Sequence, residues 1–281
     1  MIFKNKITEE KICIYHFISL IPLILYSFYK NAFLVYLKTQ DIMDLFYPIL
    51  LLGIPLFIIL LFKKIKKISL QMNDFYMFAS LLFLPFNSNL LIVYIIFLLF
   101  YILSNTKLKL PYPILLVLTY FFAFNALETF TLYNKIENLS SYNYKLLDYF
   151  IGKGDSLIFT SSLFAIILSY IFLASRKYFK KNIVTIFTIT YLFIGFILSI
   201  IYKFDYSYIS LIIAAVIFLG SNFRFTFNEF KGTILFSTIL AILTIIFNFI
   251  FNYYTGVFIA ILIAQITYLC LPIKIKKLYF H

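Results

Sequence analysis

The chain has 281 residues, 63% hydrophobic, 22% aromatic and only 12% charged, whereas soluble domains carry about a quarter of their residues charged. That balance excludes a soluble globular domain and reads as an integral membrane protein in a lipid bilayer. Twenty-four basic against eleven acidic residues give +13, but the charges sit in short clusters between apolar runs, which is membrane topology and no nucleic-acid surface.

At about 20 apolar residues per crossing, segments 12–34, 45–62, 75–86, 90–104, 112–127, 156–175, 182–202, 208–220, 233–251 and 255–272 read as spans. The expected fold is all-α: a polytopic membrane protein of about ten transmembrane helices, forming a single domain over 1–281. Halves 1–127 and 156–281 are joined by one long loop, 128–155. No small-residue cleavage site follows the first apolar run, so no removable signal peptide is expected.

Lys and Arg set the orientation. With the N-terminus in the cytoplasm and sides alternating, eighteen basic residues fall inside, in clusters such as Lys63–Lys67, Arg176–Lys181 and Lys274–Lys277. Six fall outside: Lys30, Lys38, Lys135, Lys145, Lys153 and Lys203. The asymmetry never reverses, which places both termini in the cytoplasm.

Segments 75–86 and 208–220 make about 18 and 20 Å of helix, short of the roughly 30 Å hydrocarbon core. They are the third and eighth segments, the same place in each half, and five spans per half turn the second half upside down. That pattern predicts a 5+5 inverted repeat whose broken third and eighth helices meet near the midplane around a binding site. Asn87, Ser88 and Asn89 follow the first break, Ser221 and Asn222 the second.

Other polar residues inside apolar runs are His16, Asp74, Asn125, Asn248 and Gln265. His16 has no second His or Cys near it and reads as a satisfied bundle histidine. Asp74 reads as an interfacial charge beside Lys66 and Lys67. Cys13 and Cys270 lack metal-ligand spacing and read as core residues. No chain of carboxylates marks a proton relay, and no phosphate loop, nucleophile elbow or zinc motif is present.

The stretch Gly154 to Lys177 is a glycine-bearing loop running into an apolar helix that closes on a basic run. Its expected first turn carries Thr160, Ser161 and Ser162, with hydroxyls bonded to carbonyls one turn back or lining a ligand.

Residues 165–177 resemble the helix after the Gly-Glu-Thr-Ser-Ala-Leu motif of the NqrB/RnfD family, with Thr160, Ser161 and Ser162 at its Glu-Thr-Ser. Leu146-Leu147-Asp148-Tyr149-Phe150-Ile151-Gly152 resembles that family's Leu-Leu-Asp-Leu-Phe-Leu-Gly lead-in. Tyr253-Tyr254-Thr255-Gly256-Val257 resembles its Tyr-Pro-Glu-Gly-Val, and Leu82 to Asn87 its Leu-Leu-Ala-Phe-Asn-Leu-Pro segment. The likeness runs in order from about residue 12 to 273, at low identity.

The resemblance implies a membrane subunit of an Rnf/Nqr-type ion-translocating electron transport complex in the bacterial cytoplasmic (inner) membrane. Such a chain has no complete active site of its own; it passes electrons through bound flavin and works with other membrane subunits. The family's FMN is carried on a threonine of Ser-Gly-Ala-Thr, which here is Ala126-Leu127-Glu128-Thr129, so the resemblance implies FMN covalently held at Thr129, or bound riboflavin. It also implies cofactor-binding roles for Thr160, Ser161, Ser162, Asn87, Asn222 and Gly256. The chain departs from the family where charge matters. The Glu of Gly-Glu-Thr-Ser is Thr160, the Asp of Thr-Asp-Pro is Asn222, and the Glu of Pro-Glu-Gly is Thr255. Glu128 would stand beside the phosphodiester. Those neutral replacements leave open a transporter or channel for flavin or a small neutral solute, and a structural subunit without cofactor.

Overall fold

The computed structural model describes residues 8–84, 89–105, 110–123, 150–152, 157, 159–201, 208–222, 226, 229–251 and 253–271. Among these residues all regular structure is helical. Four helices among the described residues are long and apolar enough to cross a membrane: α1 (Glu9–Thr39), α2 (Ile42–Lys66), α7 (Lys181–Ile201) and α9 (Phe230–Ile250). Shorter apolar helices lie between them: α3 (Met72–Ser80), α4 (Leu90–Ser104), α5 (Tyr112–Ala123), α6 (Leu163–Ala174), α8 (Ile209–Gly220) and α10 (Tyr253–Cys270).

The helix ends follow local chemistry. Thr8 caps α1, whose first turn carries Glu9 and Glu10 against the positive end of the helix dipole. The α1–α2 turn is closed by Asp41, whose Oδ1 accepts from the Met43 amide at 2.9 Å. Three lysines occupy the last turn of α2, and Lys67 ends it in the left-handed conformation at φ 53°. α3 tightens into a single 3-10 turn, Leu81–Phe83, and stops at Leu84, which is extended as the residue before a proline should be. α8 ends in a π turn, Val216–Gly220, where Ser221 N donates to Val216 O at 2.8 Å.

The two short elements occupy the interior. Phe75 to Leu84 of the α3 segment are buried without exception, as are Ala214 to Asn222 of the α8 segment. The two segments pack on each other, with Phe75 and Phe218 ring centroids 6.4 Å apart. Phe258 of α10 closes the core against Phe83 and Phe121 at 5.3 and 5.5 Å. The long helices instead turn apolar side chains outward, including Phe57 on α2 (64% exposed) and Ile200 on α7 (72%). An apolar exterior around a packed interior is the pattern lipid contact requires.

Two expectations need correction. The sixth helix begins at Leu163 rather than 156, because Ser162 has extended backbone and caps it, accepting from Ala165 N at 3.3 Å. Thr160 and Ser161 therefore precede the helix instead of forming its first turn. Cys13 is buried, but Cys270 is exposed near the end of α10. Apolar membrane helices have a lipid face as well as a core face, and composition does not separate the two.

Candidate functional site

Contacts between distant parts of the chain gather the described parts of several basic loops at one end of the bundle. Glu9 Oε1 accepts from Met72 N (3.2 Å), Cys13 Sγ donates to Gln71 O (3.1 Å), and Asn73 Nδ2 donates to Ser104 O (3.3 Å). Arg176 lies over the rings of Tyr15 and Phe172 at 4.6 and 4.8 Å. The starts of α1, α3 and α7 and the ends of α2, α4, α6 and α8 thus share this basic end.

At its centre is a buried ion pair. Lys63 Nζ stands 2.9 Å from Asp74 Oδ2, with both side chains shielded from solvent. Asp74 also accepts from Gln71 N at 2.7 Å, closing the capping box of α3, and from the Tyr101 hydroxyl at 3.0 Å. Asp74 is therefore a pin joining α2, α3 and α4 through Lys63; the expected interfacial pairing with Lys66 and Lys67 gives way to one turn earlier on α2.

Beside this pin, at the tip of α8, is a cavity of about 240 Å³ lined by Ile12, His16, Tyr76, Tyr178, Phe179, Lys180 and Ser221. The turn between α6 and α7 folds Tyr178 and Phe179 back against His16, with ring centroids 5.7 and 6.2 Å away. His16 Nδ1 donates to Ile12 O at 2.9 Å, so its Nε2 is the acceptor of the neutral ring. Lys180 Nζ donates to Thr226 O and Oγ1 at 3.1 and 2.7 Å, and Thr226 Oγ1 donates to Asn222 O at 3.1 Å. The Tyr178 hydroxyl is buried with no hydrogen-bond partner among the described residues.

Burial lowers Lys180 to about 8 and raises Tyr178 to about 12, the latter against the opposing pull of Arg176. At pH 8 about half of Lys180 is then neutral amine, against about 0.3% of an ordinary lysine. Acylation under limiting reagent at that pH should mark Lys180 ahead of exposed Lys64 and Lys66, as read by peptide mapping. Equal labelling would mean that its ammonium is solvated.

The residues expected to hold a cofactor are divided by the fold. Thr160, Ser161 and Ser162 lie at the opposite end of α6 from the cavity, all buried. The hydroxyls of Thr160 and Ser161 have no partner among the described residues. Close by, Tyr26 Oη donates to Ile151 O and Lys30 Nζ to Gly152 O, and a Cβ on Gly152 would come within 2.9 Å of Ser161 O. Asn222 sits at the other end, buried behind Ser221. Gly256 lies where α10 crosses the end of α9, against the backbone of Phe247 and Asn248. Asn89 caps α4 at Leu91 N, and Gln265 Nε2 supports Leu219 O within the π turn at 2.9 Å. Thr129 and Asn87 lie outside the described residues, as do Ser88 and Asn125.

Sequence reasoning missed Tyr178 and Lys180 by reading Arg176–Lys181 only as a topology signal. The clue was Tyr178-Phe179, two aromatics interrupting a basic run where a solvated turn would have none.

A larger apolar groove of about 360 Å³ runs between α6, α7 and α8, along Ile166, Val184, Leu192 and Ile213. Of its three polar residues, Tyr170 and Thr185 are already bonded to each other at 2.7 Å and Thr188 is the third, so it offers acyl chains a surface and a polar ligand little. Among the described residues no group of His, Cys, Asp and Glu is set to hold a metal. The polar, aromatic cavity at the tip of α8 is the best-formed candidate site, and it stands on the geometry alone: no protein-family model matches the chain, and no curated protein matches it.

Proposed function

We propose that the chain is the membrane subunit of an Rnf/Nqr-type ion-translocating electron transport complex, passing electrons through bound flavin, with both termini cytoplasmic in a bacterial inner membrane. The observation that carries this reading is the pair of short segments, α3 and α8, buried and packed on each other inside the bundle. Helices too short to cross, held at the centre of longer ones, are how a 5+5 inverted repeat builds an internal site. The ordered likeness to the NqrB/RnfD family supports the same scaffold.

The described residues suit the phosphate of FMN at one place. Thr160 and Ser161 present unpartnered buried hydroxyls close to the Lys30 ammonium, a donor set that complements phosphate oxygens. These residues would hold the group, and Thr129 would carry the link. Bound flavin would supply the redox chemistry; the chain's part is to orient it and exclude water.

A second reading, a transporter or channel for flavin or a small neutral solute on the same scaffold, is favoured by the uncharged, buried Ser221 and Asn222 just past the end of α8. One preparation separates the two. Run on a denaturing gel under ultraviolet light, the purified chain should give a fluorescent band that Thr129→Ala abolishes. A dark band with no flavin released on denaturation sinks the electron-transport reading, and solute uptake into liposomes by this chain alone would establish the second.

A further inference from the structure

The cavity at the tip of α8 has a chemistry that flavin binding at the other end of α6 does not use. Its walls are ring-shaped: His16, Tyr76, Tyr178 and Phe179 surround it, and His16, Tyr178 and Phe179 form one continuous aromatic cluster. Two of its polar groups, Tyr178 and Lys180, come from one short turn. Lys180 brings a positive charge, and the buried Tyr178 hydroxyl has no partner among the described residues. Arg176 is fixed nearby over Tyr15 and Phe172, adding a second cation to the same turn.

We propose that this cavity is a binding site for a small planar aromatic carboxylate, its anionic end held by Lys180 and Tyr178 and its ring stacked among His16, Tyr76 and Phe179. Size, charge and shape each narrow the class. About 240 Å³ lies below the roughly 300–1,000 Å³ of pockets for drug-sized ligands, which limits the occupant to one or two rings. An ammonium and an unpartnered hydroxyl on one wall favour an anion over a neutral amide. Aromatic walls favour a flat ring over a saturated one or a bare inorganic anion. The ligand arrives from the basic end, where Lys64, Lys66, Lys67, Arg176, Lys177 and Lys181 raise the local concentration of anions. At neutral pH the site is competent on both counts, since Tyr178, pushed up to about 12, keeps its proton and Lys180 is still mostly charged.

This goes beyond the flavin reading and does not rest on it. The test is titration calorimetry on the purified full chain in detergent, using benzoate and 1-naphthoate as probes. Benzamide serves as the neutral isostere and cyclohexanecarboxylate as the non-planar anion. At least one aromatic carboxylate should saturate a single site, with each control about tenfold weaker or worse. Lys180→Met and Tyr178→Phe should each weaken it about tenfold, and Ser175→Ala, outside the cavity, should leave it unchanged. Should Lys180→Met fail to fold, Tyr178→Phe removes one oxygen only and decides the matter. No saturable binding of either carboxylate at millimolar concentration overturns the proposal. So does binding that Tyr178→Phe leaves untouched, or benzamide binding as tightly as benzoate. Flavin content, read from the same preparation, moves independently of all these outcomes.

Discussion

Asp74→Ala should destabilise the protein by about 3–5 kcal/mol, lowering the apparent Tm in detergent on the order of 10 °C. The substitution removes little volume but leaves Lys63, 5% exposed, as a charge without its carboxylate 2.9 Å away. It also strips the Gln71 amide and the Tyr101 hydroxyl of their acceptor, so α3 loses its cap and its tie to α4 together. The double variant Lys63→Met, Asp74→Leu should recover the part of the loss due to the stranded charge, because an apolar pair avoids the desolvation that the ion pair has to offset, while the Gln71 amide and Tyr101 hydroxyl stay without their acceptor. An Asp74→Ala chain melting within a degree or two of wild type would show that water reaches the pair and that the pin is weak.

Gly256→Ala should cost roughly 1–3 kcal/mol, the range for overpacking a closed interface. A Cβ at Gly256 would fall 2.7 Å from Asn248 N and 2.8 Å from Phe247 C. Both are backbone atoms, so no rotamer change relieves them, and α9 and α10 must part where they begin their long contact. The result also sorts two roles. A packing glycine loses stability on substitution whether or not a ligand is bound, while a glycine needed only for close approach of a cofactor keeps the Tm and loses the cofactor. Thermal melts of wild type and Gly256→Ala, with flavin content measured alongside, distinguish these cases.

The positions of the helices were legible because lysine clusters and polar turns bound every apolar run. The end of α3 was placed too late: the apolar run was carried through Phe86, whereas Pro85 forces Leu84 out of the helical region and the helix stops there. The π turn ending α8 was not legible, because Val216-Ile217-Phe218-Leu219-Gly220 reads as ordinary helix. Only the fold brings Gln265 to the Leu219 carbonyl. At the site, Asn222 and Ser221 were marked as polar residues at a break, and Ser221 does line the cavity. His16 looked like a lone satisfied histidine and is half that: Nδ1 is bonded within its helix while the ring walls the cavity. Lys63 was one of four neighbouring lysines, and sequence had no means of choosing which of them turns inward to Asp74.

The helices facing lipid are of unequal reach. α2, with 25 residues, extends about 38 Å, whereas α4 and α6, with 15 and 12, extend about 22 and 18 Å. All three present apolar side chains to the outside, such as Phe57 on the first, Leu99 on the second and Ile171 on the third. A bilayer of one thickness does not match all three lengths, so the lipid annulus should thin beside α4 and α6 while α2 tilts, each ångström of mismatch costing a fraction of a kcal/mol. The chain should therefore wear an uneven collar of lipid, with short-chain lipids collecting beside the short helices.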